Sequence, residues 1–375
     1  MNGGNTLSHK KSLIYAIVLS SFFAIFCVYH HLSDTVTVYL SPADDSVDHG
    51  CYWLHSASDQ TPMSQQQLVE RKCNKTYPDV IIAGVKKCGT TALRNFLKFH
   101  PQLASIQQET HFFDSKYHMG MEWYLEQMPY TTPEQLTMVK TPKYFVHPLS
   151  PSAIQKHLGG NTKFIFIVRD PVQRAISDFA HVYVSNAQST SSGSHSSGGG
   201  GSGSSRDTLE TPLTTQQEAI RNMVKRLEKH NTLPSAIKDT FEESVLFPNG
   251  SVNTATSLID TGIYIKHLRR WLALFPREQM LVLDGEEYIY NPLPTLQQVE
   301  RFLDLQPYFK EENFYFDVKK SFFCMAHPVR SCLRDGKGRT HPYVSYDAKQ
   351  TLYDFYEPYN LELAYVLQHN FSWVI

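Results

Sequence analysis

The stretch from Asp79 to Phe99, DVIIAGVKKCGTTALRNFLKF, constrains the fold of this chain more than any other. It opens on Val80-Ile81-Ile82-Ala83, an apolar run whose β-branched residues suit a buried strand. A tight basic turn follows, Gly84-Val85-Lys86-Lys87-Cys88-Gly89-Thr90-Thr91, and then Leu93, Phe96 and Leu97 share one face of a helical pattern. Strand, glycine turn and helix in that order aim backbone N–H groups and a helix N-terminus at one point, where an anion is stabilised. The turn does not match the GxxxxGK[ST] frame of nucleotide P-loops. Taken alone, these residues leave two readings open. One is an anion cradle; the other is an ordinary βα connection in which Gly89 serves the geometry and Thr90 caps the helix.

The chain of 375 residues is 41% hydrophobic and 19% charged, ample for a real core. Its formal net charge is −1, so no global field draws in a polyanion, and any such partner must meet a local basic cluster. Leu13 to Tyr29 is uncharged and strongly apolar, with Lys10 and Lys11 just before it and no small-x-small cleavage pattern after it. The basic flank predicts a single-pass signal anchor over 13–29 with a cytosolic tail over 1–12 and the bulk of the chain across the membrane. Asn74, Asn249 and Asn370 head glycosylation sequons, which fits a lumenal setting. Outside the apolar run and the glycine turn, Cys51, Cys73, Cys324 and Cys332 allow three pairings; Cys324 with Cys332 closes a short loop, and an oxidising lumen favours pairing over free thiols.

Residues 30–77 are polar without sustained periodicity and read as a stem, so the folded domain is expected over 78–375. Further short strands are predicted at Leu103–Ile106 and Met138–Val139, a strong one at Lys163–Val168 (KFIFIV), and another at Met280–Leu283. Pro171 reads as the first residue of a helix. Gln216–Lys229, the amphipathic Leu258–Phe275 and Val299–Leu305 also read as helices, and 185–205 is a Gly/Ser-rich surface insert. Strands alternating with helices predict an α/β domain with a mostly parallel, helix-covered sheet.

Two strand-to-turn junctions carry cations, Lys86/Lys87 and Arg169. Ligands of open α/β sheets bind at the carboxyl ends of strands, so the two turns could grip opposite ends of a ligand with two phosphate groups. Glu109-Thr110-His111-Phe112-Phe113-Asp114 sets acidic groups and a histidine beside bulky rings. It reads either as a strand edge or as a general base partly desolvated by Phe112 and Phe113.

Together these pieces resemble a known family. Lys87-Cys88-Gly89-Thr90-Thr91, Glu109 to Asp114, Lys140-Thr141-Pro142, Arg169-Asp170-Pro171 with Arg174, Ser177 and Asp178, Gly262 to Leu272, and Lys337-Gly338-Arg339-Thr340-His341-Pro342 occur in this order in heparan sulfate glucosamine 3-O-sulfotransferases. The resemblance runs from Asp79 to the C-terminus, apart from the Gly/Ser insert. It implies a P-loop-like α/β sulfotransferase fold, a type II Golgi membrane protein with a lumenal catalytic domain, and 3′-phosphoadenylyl sulfate (PAPS) as donor. The acceptor it implies is the heparan sulfate chain of proteoglycans; no metal and no nucleic acid is called for. Lys87, Cys88, Gly89, Thr90 and Thr91 would cradle the 5′-phosphosulfate, Arg169 and Ser177 the 3′-phosphate, and the loop of Lys337, Gly338, Arg339, Thr340 and His341 would close over the donor. Glu109 would take the acceptor's proton, with His111 and Asp114 in support, and Lys87 would offset charge on the leaving oxygen. Gln108, Lys140, Thr141, Pro142, Lys143 and Arg339, with Glu109, His111 and Asp114, would meet the acceptor. Cys324 and Cys332 match the family's disulfide. The departures are Cys88 for a glycine, Thr91 for an arginine and Gln108 for a lysine. The last two remove positive charge that would face an acidic acceptor, and Lys143 restores some. Lys-x-Gly-Thr-Thr is also the form seen in N-sulfotransferases, so sulfation of another position or glycan, or a sulfated-glycan-binding relative without activity, is the rival reading.

Overall fold

The computed structural model describes residues 46–56, 59–191, 238–333 and 341–374. The apolar run 13–29, the predicted helix Gln216–Lys229, the insert beyond Ser191 and the loop residues Lys337 to Thr340 lie outside them. Folded chain begins earlier than expected. Strands β1 (Val47–His49), β2 (Tyr52–Ser56) and β3 (Asp59–Pro62) form an antiparallel sheet, followed by helix α1 (Gln65–Glu70) and β4 (Asn74–Lys75). This part of the expected stem is therefore structured. A Cys51–Cys73 disulfide closes it, and Arg71 grips both oxygens of Asp48 at 2.7 Å. A fork of that kind and a buried disulfide replace the apolar periodicity that the sequence lacks here.

The central sheet has five parallel strands in the order β10-β9-β5-β8-β6, with β5 at Val80–Gly84, β6 at Leu103–Ser105, β8 at Leu136–Lys140, β9 at Lys163–Val168 and β10 at Met280–Asp284. All five residues of β5 and of β10 are buried, which is why these runs read as continuously apolar rather than alternating. The chain leaves β5 toward β8 and β6 on one side, then crosses to β9 and β10 on the other. The carboxyl ends of β5 and β9 therefore flank the point where the topology reverses, the position at which open α/β sheets take their ligands.

Helix α2 (Thr90–Leu97) follows β5, and α5 (Pro171–Ser191) follows β9, with α3 (Met121–Glu126) and α4 (Ser150–Leu158) between. Helix α5 starts at Pro171 as expected; Asp170 Oδ1 accepts from the N–H groups of Val172 (2.8 Å) and Gln173 (3.2 Å) and so caps it. The predicted helix Leu258–Phe275 is broken into α7 (Ser257–Asp260) and α8 (Tyr264–Leu272), after the short α6 (Phe241–Val245). The break lets Gly262 lie against Tyr356, whose hydroxyl would sit 2.6 Å from any Cβ placed there. Helices α9 (Gly285–Tyr290) and α10 (Pro292–Leu303) come next, then a β11–β12 hairpin (Phe314–Asp317, Phe322–Met325) and α11 (Tyr346–Leu367). Cys324 pairs with Cys332.

Gly285 is the point where α9 presses on the site: a Cβ there would lie 2.8 Å from the Val168 carbonyl and 3.0 Å from that of Cys88. Both obstacles are backbone and cannot rotate away. Gly285→Ala is therefore expected to lower stability by about 1–3 kcal/mol, read as a drop in the thermal midpoint. An unchanged midpoint would show that the contact is slack.

Candidate active site

The turn after β5 carries the first half of the site. Gly89 takes φ +107°, a conformation that suits glycine, and stands at the N-cap of α2. Thr90 is thus inside the helix rather than capping it, and no side chain bonds the helix start. An uncapped N-terminus leaves its N–H groups for an anion. Gly84 and Gly89 also keep the five-residue spacing of the nucleotide frame, so the departure lies in Thr90, which takes the place of that frame's lysine. Cys88 turns its thiol into the core, 3.7 Å from the Tyr264 hydroxyl, and burial pushes it up to about 11. Its side chain is therefore a neutral packing group, and only its backbone contributes to the turn.

The two lysines of the turn separate. Lys86 pairs with Asp178 at 2.9 Å, while Asp178 also takes the fully buried Arg174 at 3.1 Å. Burial resists the charge on Asp178, but the two cations overcome it and hold its carboxyl below the usual range. Lys87, at φ +74°, acts elsewhere: its charge and that of Arg169 reach His341, which they and, first, burial hold below the usual imidazole value. His341 thus stands near both cations. Arg169 is steered by Glu286 at 2.9 Å, and its carbonyl accepts from the Tyr264 hydroxyl at 2.8 Å. Ser177 lies half-buried on α5.

The second half is the Glu109–Asp114 turn. It is neither a strand edge nor a carboxylate wrapped in rings. His111 adopts φ +51°, and a π-helical turn follows over Phe112–Lys116. Phe112 and Phe113 point into the core, where Phe112 stacks on Tyr124 at 4.4 Å. The Tyr144 hydroxyl accepts from the N–H groups of Phe112 (3.0 Å) and Phe113 (3.3 Å) and so pins the turn from behind. With the rings inward, Glu109 and His111 face outward, and His111 is anchored on the buried Asp114. His111 Nδ1 donates to Asp114 Oδ2 at 2.9 Å and its Nε2 lies 3.3 Å from Glu109 Oε2. Lys140, from the end of β8, bonds the other Glu109 oxygen and lies 3.5 Å from the Thr91 hydroxyl on α2. Lys140 thereby ties the anion turn to the carboxylate turn.

Electrostatics follow from that geometry. Burial would raise the Glu109 pKa, but the His111 hydrogen bond and the Lys140 charge outweigh it and hold the carboxyl at about 2. The bonds to Asp114 and then Glu109 raise His111 to about 9. At neutral pH the site is a carboxylate held between two cations. Glu109 is partly desolvated as expected, but with Phe112 and Phe113 in the core the cations outweigh that burial and its pKa falls instead of rising. Lys143 sits 3.5 Å from Asp114, whereas Thr141 and Pro142 are buried and shape the turn rather than offer side chains to a ligand. Gln108 is exposed beside Glu109, and the Arg339 position is outside the described residues. Asp178 was legible only as part of a motif, through its i,i+4 spacing to Arg174, while Glu286 and Tyr144 went unread because each meets its partner through the fold rather than through spacing.

An uncapped helix start at a sheet switch point, joined by a lysine to a carboxylate, is an arrangement suited to group transfer from an anionic donor. Comparison with known proteins narrows this. A family model described as "Sulfotransferase domain" matches residues 77–359. Human heparan sulfate glucosamine 3-O-sulfotransferase 3A1 is 35% identical over 321 residues, covering 84% of this chain and 66% of that protein. Human heparan sulfate glucosamine 3-O-sulfotransferase 5 is 34% identical over 315 residues, covering 83% of this chain and 78% of its own length. A crystal structure of a sulfotransferase from Alicyclobacillus acidocaldarius aligns with a TM-score of 0.47 at 18% identity, over 79% of this chain and 98% of that one. The chain belongs to the sulfotransferase domain family, in the group of the heparan sulfate glucosamine 3-O-sulfotransferases. It spans about two thirds of the length of the first of these relatives.

The His111 geometry is testable without any assay of activity. Its imidazole is expected to titrate near 9 by NMR and to fall toward 6.5 in Asp114→Asn, which removes the stronger of its two anionic partners. Stability that His111 contributes is present below pH 6.5 and is lost as pH rises through about 9, because the raised pKa belongs to the folded state. An imidazole that titrates near 6.5 in the unaltered chain would contradict the arrangement.

Proposed function

We propose that this chain transfers a sulfuryl group from PAPS to the 3-hydroxyl of glucosamine residues in heparan sulfate, with Glu109 as the general base. The observation that carries the reading is the Glu109 carboxylate, ionised at neutral pH and bridged by Lys140 to the uncapped α2 turn. The residues present fit the donor. An uncapped helix start with a left-handed glycine suits one phosphate, and Arg169 with the neighbouring His341 suits a second anionic group. PAPS, when bound, supplies the activated sulfuryl group. Gly89, Thr90 and Thr91 would hold its phosphosulfate with Lys87, and Arg169 and Ser177 its 3′-phosphate. The loop from Lys337 to His341 would cover it.

The protein's own part is proton and charge management. Glu109 needs a free oxygen to receive the hydroxyl proton, and both its oxygens are engaged, by Lys140 and by His111. An anionic acceptor group drawing Lys140 or Lys143 aside would raise the basicity of Glu109 at the moment the hydroxyl arrives. His111, held by Asp114, keeps the carboxylate aimed.

The setting fits a lumenal enzyme behind a membrane anchor over 13–29. Two disulfides are formed, and Asn74, Asn249 and Asn370 are all exposed, as glycan attachment requires. Among the described residues no helix is long and apolar enough to cross a membrane. Thr91 and Gln108 favour a variant reading in which the acceptor is less sulfated, or is sulfated at another position.

Labelled PAPS offered with heparan, chondroitin and desulfated acceptors, followed by disaccharide mapping, decides between them. Label is expected at glucosamine O3; label confined to nitrogen or to chondroitin would overturn the reading. Glu109→Gln is expected to cut transfer by about 10²–10⁴-fold while the affinity for the desulfated donor stays unchanged. Near-normal turnover would remove Glu109 from the role of base.

A further inference from the structure

A cleft of about 300 Å³ opens directly beside Glu109. Its walls carry the carboxamides of Gln60, Gln107, Gln108 and Gln127, the Trp123 indole and the Lys116 ammonium. Most of these come from the turns around Glu109 and from α3, but Gln60 does not. It belongs to β3, in the disulfide-closed N-terminal sheet, and lies outside the residues 77–359 that the sulfotransferase domain shares. Its Nε2 donates to the Ser105 carbonyl at 3.4 Å and so docks β3 on the end of β6. The Cys51–Cys73 bond and the Arg71–Asp48 fork hold the rest of that sheet together behind it.

We infer that this cleft is an acceptor subsite for one sugar ring adjoining the residue that Glu109 serves, and that it takes a neutral or singly charged ring. The inference rests on the proposed glycan acceptor and adds where the chain's own selectivity resides. A carboxamide donates and accepts at once, which matches hydroxyl and acetamido groups and gives a sulfate no net charge to pair with. Trp123, backed by Phe112 and overlaid by Lys116, gives the cleft one apolar wall among polar ones, against which the C–H edge of a pyranose can pack. Among the described residues, Lys116 is the one cation in the lining. Its Nζ lies 5.3 Å from the Trp123 ring centre, so it can serve one carboxylate at the edge of a stacked ring. The volume is at the small end for ligand sites and suits a ring rather than an extended polysulfated segment. Neutral Gln108, beside Glu109 in the lining, extends the same uncharged character.

The test uses the full chain with Gln60→Ala, Gln60→Glu, Trp123→Ala and Trp123→Phe, and a tetrasaccharide of alternating N-acetylglucosamine and glucuronate beside a fully sulfated one. Trp123→Ala is expected to raise the acceptor KM for the unsulfated chain by roughly tenfold, with kcat and the PAPS KM within about twofold and Trp123→Phe restoring most of the loss. Gln60→Ala should raise the acceptor KM several-fold, and Gln60→Glu should penalise the sulfated acceptor more than the unsulfated one. Acceptor KM values that stay within about twofold in both alanine variants overturn the subsite. If the chain transfers no sulfuryl group to glycans, calorimetry with the unsulfated tetrasaccharide separates the two claims. Binding that is lost in Trp123→Ala keeps the subsite while the activity reading falls, and no binding to the unaltered chain overturns the subsite itself.

Discussion

A parallel sheet cannot leave a face to water without exposing strands that are apolar on both sides, and β5 is the strand on which this constraint bears hardest. It pairs with β8 on one edge and β9 on the other, and none of its residues reaches solvent. Each buried aliphatic side chain there contributes roughly 1.5–3 kcal/mol, so the register is strongly held. Because neighbouring strands run the same way, their turns collect at one end. The anion turn, the Arg169 turn and Lys140 at the end of β8 are brought together by that parallelism, though 54 residues of chain separate Lys86 from Lys140.

Charge inside the molecule is arranged by the same packing. Arg174 has no solvent exposure, yet it is paired with Asp178 and bonded to the Leu258 carbonyl. Removing one partner of such a pair strands a buried charge, which costs about 3–5 kcal/mol in comparable sites. The pair also draws Lys86 back onto α5. At the carboxylate turn the logic is reversed: Glu109 is only partly buried and its charge is secured by neighbours on both oxygens. The first network is a closed scaffold, whereas the second is partly exposed and open to new partners.

Much of the fold was legible in short runs. KFIFIV appears as β9 with the expected ends, and Val80–Ala83 and Met280–Leu283 each gain one residue, because contiguous β-branched and aromatic residues in a short stretch leave few alternatives. Pro171 and Asp170 marked a helix start through purely local chemistry. Elsewhere local rules were insufficient. The 22-residue α11 went unnoticed, since its polar and aromatic mixture around Pro358 lacks a clean apolar stripe, and its buried face is set by Leu352, Tyr356 and Leu363 meeting other elements. The helix around Gly262 looked continuous until Tyr356 came against it. The sheet of β1 to β3 was hidden because a disulfide and an ion pair, rather than apolar alternation, hold it.

What the amino-acid sequence determined by itself was the set of strands, the glycine turn and the order of the reactive residues, all of which depend on neighbours within a few positions. The tertiary structure decided what those residues can do. It committed Lys86 to Asp178 and turned the Cys88 thiol into the core. It turned Phe112 and Phe113 inward and set Lys140 and His111 against Glu109, where together they outweigh the desolvation of burial. It also carried Gln60 to the wall of the cleft. Each of these depends on partners far away in the chain, and electrostatic and packing energies are set by distance in space.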